Sequence, residues 1–447
     1  MLDSMDEWNE KHIKVLAEMG KTQELEICKQ VPKYPARNFR EVLQAYFFQH
    51  IVVMKEDPPG GNSPGSLDYY LWPYLEKDLK ENKITLEEAQ ELCEELFLRI
   101  DERVHKSDGH GESVVLGGCH KDGSSAVNPL SYIMIKAFMK YDITHPYLYV
   151  RIPKDVPEDF LMLASKYVKE GNNRAQILND ESIMNALISR GVSYEDATDY
   201  YCGGCMEVGI QGKSSDFLFA GFFNVPKILE FTLSGGRDIL NHKNLEYFKS
   251  KSIYDFDDFE GFYTYFLEKT KEVFNLSFEY VERLSILSAE NRPSYLLCSM
   301  LDNCMEKGRN MHDGGIKYHD YGASPIGLPN MADSLYAVKR AVFEDKICTA
   351  DELIDAMEKD FEGCEALHNK LLNIPKYGCE DEGADLMAAR VTRDVSRIFN
   401  EYENHLGGRG KPVLLTFVWE REIGNSSKIP FTSKKPLILQ FFRFHIF

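Results

Sequence analysis

Capped helical segments alternate along this chain with short apolar runs, and several of those runs end in paired glycines. Thr85-Leu86-Glu87-Glu88 carries the reciprocal capping pattern that opens a helix, here expected to run to about Val104. Asn38-Phe39-Arg40-Glu41, Ser193-Tyr194-Glu195-Asp196 and Thr349-Ala350-Asp351-Glu352 are similar starts. Between the helices, residues 114–116, 147–152, 176–178 and 413–418 read as buried strands. Glycine pairs follow at Gly117-Gly118 and Gly203-Gly204, whereas Gly235-Gly236 trails a helical segment and reads as a helix stop. This alternation admits α/β layering or an α/β barrel. In either, chemistry collects in the loops at strand ends.

The chain has 447 residues, 43% of them hydrophobic and 28% charged, which is ample material for a large core. A net charge of −19 argues against nucleic acid or an anionic membrane surface as a partner, since both need basic patches. Met1-Leu2-Asp3-Ser4-Met5-Asp6-Glu7 is acidic and lacks the apolar core of a signal peptide. The ten scattered cysteines therefore fit reduced thiols in a cytoplasm better than a disulfide framework. No run reaches the length of a transmembrane helix; residues 436–447 are interrupted by Gln440, Arg443 and His445 and are too short.

Gly203-Gly204-Cys205-Met206-Glu207 is the stretch with the most chemistry. A thiol can give or take a hydrogen atom, and a carboxylate two residues on can take a proton. In an extended loop the two side chains point the same way. Four readings compete for Cys202 and Cys205. A redox CxxC pair needs its first cysteine at a helix N-terminus, and Val208-Gly209-Ile210-Gln211-Gly212 is a poor helix start. A structural zinc site needs four ligands, and there is no second CxxC or HxxxH. Two buried small hydrophobes are the bland reading, and it suits Cys202. A radical site is the fourth.

The radical reading comes from a resemblance. Gly204-Cys205-Met206-Glu207 is similar to the Gly-Cys-x-Glu loop of the glycyl radical enzymes, relatives of pyruvate formate-lyase and of the radical dehydratases and decarboxylases. The likeness runs in order along nearly the whole chain. It includes Ser63-Pro64-Gly65 with Asp68, Leu116-Gly117-Gly118, Leu178-Asn179-Asp180-Glu181, Gly212-Lys213 and Phe222-Phe223-Asn224. It continues through Gly236-Arg237-Asp238, Asp313-Gly314-Gly315 and Asn373-Ile374-Pro375-Lys376-Tyr377-Gly378.

The resemblance implies a ten-stranded α/β barrel of the glycyl radical enzyme type, here incomplete and surrounded by helices, over residues 1–424. It implies that Cys205 is the hydrogen-atom carrier and Glu207 the general base of an elimination: dehydration, C–N or C–S cleavage, or decarboxylation. A positioned base is worth on the order of 100- to 10,000-fold in such a step. Pyruvate formate-lyase itself pairs two adjacent cysteines; Met206 follows Cys205 here, which disfavours formate acetyltransferase chemistry. The diol-dehydrating members carry a His-Ser pair just before the Ser-Pro-Gly segment, where this chain has Gly60-Gly61-Asn62, and an aspartate where it has Phe219, with Asp216 nearby. Asp216, Phe217 and Phe219 are therefore expected to contact a small organic substrate in a less polar pocket, core packing being the commoner role of such aromatics.

The family's C-terminal loop, approximately Arg-Val-x-Gly-Tyr, has no match in these 447 residues, and residues 425–447 do not resemble the family. Such a tail is what a frameshift or an early stop produces. The expectations are a protein-based glycyl radical held on another segment, a complementing glycine-loop polypeptide, and a radical-SAM activating enzyme. No cofactor or metal is expected on this chain itself, and a homodimer is expected from the family's habit. The alternative is a catalytically silent remnant that binds only a ligand or a partner.

Overall fold

The computed structural model describes residues 2–56, 63–103, 112–170, 175–204, 206–214 and 216–414, with backbone only at 175 and 216. The chain forms two compact units, Met1–Ser215 with Asn291–Tyr318 and Asp216–Glu290 with His319–Phe447.

In the first unit, β1 (Gly65–Ser66), β2 (Ser113–Gly117), β3 (Tyr147–Ile152) and β4 (Ala175–Asn179) form a parallel sheet in that order. All five residues of β2 are buried, as a strand covered on both faces requires. Helices Leu67–Lys80, Leu86–Arg103, Pro129–Met139 and Glu158–Lys169 contribute to the core packed with this sheet, where Phe97 meets Phe138 edge-on at 5.9 Å. The capping box read at Thr85 is present: the Glu88 N–H donates to Thr85 Oγ1 at 3.1 Å, and the Thr85 N–H to Glu88 Oε2 at 2.8 Å. Helix Tyr194–Thr198 then leads into an antiparallel hairpin, β5 (Tyr200–Gly203) and β6 (Glu207–Ile210).

The second unit holds β7 (Phe222–Asn224), the short antiparallel pair β8 (Arg237–Asp238) and β9 (Lys243–Asn244), β10 (Tyr321–Ile326) and β11 (Gly410–Pro412). Strands β11, β10 and β7 form a parallel sheet in that order. Its core gathers Phe223, Phe274, Phe278 and Phe399, fed by the long helix Phe259–Asn291 and by Glu382–Glu401. Helix Val225–Leu233 stops at Gly235-Gly236, where the Gly236 N–H reaches the Phe231 carbonyl at 2.7 Å.

A strand lies at Gly410–Pro412; of the strand expected at 413–418, Val413 and Leu414 are outside any strand and 415–418 lie outside the described residues. Pro412 has no N–H, which the edge position of β11 in the described sheet tolerates, and the Val413 N–H donates to the Ala323 carbonyl at 2.9 Å. The α/β class holds. Among the described residues the parallel sheets are open, with four and three strands, and do not close into a barrel. The tail 425–447 lies outside the described residues.

Candidate active site

The β5–β6 hairpin is the centre of the candidate site. Gly203 pairs with Glu207 at its tip and Cys202 with Val208. Gly204 has φ of +48°, and a Cβ there would lie 2.7 Å from Glu207 Oε2. Only glycine allows both the turn and the carboxylate folded over it. Glu207 is 5% exposed, and its Oε2 accepts the Met206 N–H at 3.0 Å. Cys205 lies between these residues in the chain and is outside the described residues.

Hydroxyls from β2, β3 and the segment leading into β1 hold the hairpin. Ser113 and Ser63 Oγ lie 2.9 and 3.0 Å from the Cys202 carbonyl oxygen, and each has one proton to donate to it. Tyr149 Oη donates to the Gly204 carbonyl at 2.8 Å. At the base of the hairpin, Arg151 grips Asp180 through two bonds of 2.9 Å and donates to the Tyr200 and Thr198 carbonyls at 3.0 Å. Burial works against its charge, but Tyr200 and Asp180 outweigh it and hold its pKa above the ordinary value. Gly118 makes room for it: a Cβ there would lie 2.6 Å from Arg151 Cζ.

In the helix that precedes β5, Asp196 accepts Lys213 and Lys317, each at 2.5 Å, and the Tyr318 hydroxyl at 2.6 Å. Burial opposes its ionisation, yet these donors hold it well below the usual carboxylate range. Asp68, fully buried, accepts the Gly117 N–H at 2.8 Å and the Ser131 hydroxyl at 2.5 Å; burial pushes its carboxyl up to about 6.

Cys202 is buried in an apolar cluster with Tyr149, Leu178 and Tyr200, as the packing reading had it. Val208 to Ile210 is strand, so no helix N-terminus activates a CxxC pair here. Asp216 opens a single turn of 3-10 helix, with its side chain outside the described residues. Phe217 packs edge-on to Tyr321 at 5.7 Å and Phe219 edge-on to Phe222 at 4.5 Å, all in the second unit. The Gly61-Asn62 segment is outside the described residues. Tyr149 and Ser113 were not legible as site residues; Ser63 sat in a motif, but with no role assigned.

No disulfide joins the nine described cysteines. Among the described residues no cluster of His, Cys, Asp and Glu could hold a metal ion, and no helix is long and apolar enough to cross a membrane.

The family model for pyruvate formate lyase-like proteins matches residues 1–423. The chain belongs to the pyruvate formate lyase-like family. This pyruvate formate lyase-like chain is 30% identical over 397 residues to a trans-4-hydroxy-L-proline dehydratase of Clostridioides difficile, covering 86% of the chain and 49% of the relative. It is 29% identical to an isethionate sulfite-lyase of Oleidesulfovibrio alaskensis, covering 91% and 52%. In structure it is similar to a protein of 1,2-propanediol dehydration in Roseburia inulinivorans (TM-score 0.89, 27% identity, 96% of this chain and 57% of that one). It is also similar to the B12-independent glycerol dehydratase of Clostridium butyricum (TM-score 0.86, 28% identity, 96% and 56%). A glycyl radical enzyme from Archaeoglobus fulgidus is comparable, with a TM-score of 0.87 at 26% identity, covering 96% and 57%. The chain spans about half the length of the curated relatives it matches.

Proposed function

We propose that this chain carries the thiol and base of a glycyl radical lyase that eliminates a group from a small organic substrate. The observation that supports it most is the Glu207 carboxylate, buried and folded over the hairpin turn that carries Cys205 in sequence. In this reading a glycyl radical on a polypeptide segment outside the matched region, installed by a radical-SAM activating enzyme, supplies the hydrogen-atom vacancy at Cys205. The remaining steps belong to this chain's residues. The Cys205 sulfur takes a hydrogen atom from a substrate carbon bearing a hydroxyl or similar acidic group. Glu207 takes the proton of that group. The neighbouring substituent then departs with its bonding electrons, and the sulfur returns a hydrogen atom to the product. A base in this place contributes on the order of 100- to 10,000-fold. The carboxylate and the lack of a second adjacent cysteine favour elimination over acetyl transfer.

The relatives named for trans-4-hydroxy-L-proline dehydration and for isethionate cleavage suggest C–O and C–S bond breaking as the first reactions to assay. The test is anaerobic reconstitution of the chain with a glycine-loop polypeptide and an activating enzyme. Product formation from a panel of hydroxylated and sulfonated substrates is expected. A glycyl signal without turnover of any substrate favours the silent, ligand-binding alternative. No glycyl signal at all sinks the active-enzyme reading.

A further inference from the structure

We propose that Tyr149 and Ser113 are positioning residues for the tip of the β5–β6 hairpin, on which Cys205 falls in sequence, an inference that rests on the radical-lyase reading above. The turn enters through two glycines, the residues with the most backbone freedom to lose. Hydrogen-atom transfer needs the sulfur aligned with one substrate carbon, and a misplacement of about 1 Å can cost on the order of 100-fold. Two glycines have no side chains with which to hold that alignment, so it must come from elsewhere.

The described neighbours of Cys205 show where. Tyr149 Oη holds the Gly204 carbonyl, the last described group before Cys205 in the chain, at 2.8 Å. Glu207 Oε2 holds the Met206 N–H, the first described group after Cys205, at 3.0 Å. Ser113 fixes the hairpin one step earlier, at the Cys202 carbonyl, 2.9 Å away. The supports are themselves rigid. Tyr149 is 1% exposed in the middle of β3, paired with Val115 on one side and Gln176 on the other. Ser113 is fully buried in β2. The Tyr149 ring fills the core in any case; its hydroxyl is what reaches the turn.

Tyr149→Phe keeps the ring and removes that hydroxyl. Two measurements on the chain itself decide the proposal: amide hydrogen exchange, and alkylation of Cys205 by iodoacetamide read on its own peptide. The expected result is that the Met206 amide exchanges at least about tenfold faster and Cys205 alkylates at least about fivefold faster, while β3 amides stay within about twofold. Ser113→Ala shifts both in the same direction by less. In the activated assembly, Tyr149→Phe lowers kcat by about 10- to 100-fold with KM and the glycyl signal unchanged. If the wild-type assembly turns over no substrate, the radical reading fails, and the exchange and alkylation results still decide the clamp. Wild-type exchange and alkylation in Tyr149→Phe overturn the proposal. Protection lost equally across β3 and β6 also overturns it, because that marks a fold defect and not a local clamp.

Discussion

Around Glu207 the backbone is held by hydroxyls, a carboxylate and an arginine; around Phe223 it is held by rings. In the first region the bonds that hold the hairpin are directional, among them Tyr149 on the Gly204 carbonyl at 2.8 Å and Tyr200 on Asp180 at 2.7 Å. In the second, Phe223 lies 4.4 Å from Phe274, 6.0 Å from Phe278 and 5.8 Å from Phe399. Directional bonds fix where one atom sits. Ring packing fills volume and tolerates adjustment. The hairpin is therefore suited to chemistry, and the aromatic region chiefly to holding a sheet together.

That contrast can be broken at either end. The largest effect is expected at the hairpin: Glu207→Gln keeps the shape but removes the base, and kcat in the activated assembly should fall on the order of 100- to 10,000-fold with the unfolding midpoint nearly unchanged. Retained turnover removes Glu207 from the mechanism. In the aromatic region the effect is on stability. Phe223→Ala, at a site 8% exposed, should cost about 3–5 kcal/mol in urea unfolding. A loss below about 1 kcal/mol contradicts its place in the core.

Asp68 supplies a pH test of the polar region. Its carboxyl stands at about 6 in the fold against a usual 3.8, chiefly through burial. The folded chain therefore binds this proton more tightly than the unfolded chain does. The advantage is complete below the unfolded pKa and is lost as pH rises through the folded one, on the order of 3 kcal/mol in all. The stability difference between wild type and Asp68→Asn should move by up to that amount between about pH 4 and pH 7. A flat difference contradicts the raised pKa. The smallest effect belongs to the Phe219–Phe222 pair, where a double-mutant cycle should give about 0.5–1.5 kcal/mol. Phe219 is also an expected substrate contact, and a rise in KM for Phe219→Ala beyond its loss of stability supports that role.

Much of the polar region was legible in the sequence where the interactions are local. Thr85 and Glu88 cap their own helix within three residues, so the pattern announces itself. The strands at 113–117 and 147–152 show in the sequence as apolar runs at 114–116 and 147–152 because a parallel sheet buries both faces. Glu207 could be singled out because it stands two residues after Cys205 in Gly203-Gly204-Cys205-Met206-Glu207. Tyr149 could not. It sits inside an apolar strand like any core tyrosine, and its target is 55 residues away. Ser113 reaches 89 residues to Cys202. Strand β11 at Gly410–Pro412 escaped the reading for the same cause: it pairs with β10, so where it lies depends on a partner distant in sequence.

The central claim is that Cys205 carries the hydrogen atom and Glu207 the proton. It is tested most directly by comparing wild type, Cys205→Ser and Glu207→Gln in one anaerobic reconstitution, with the glycyl radical quantified by paramagnetic resonance and product measured in the same sample. The result expected is the same glycyl signal in all three, product at full rate only in wild type, a residual rate in Glu207→Gln and none in Cys205→Ser. Product formation by Cys205→Ser contradicts the claim.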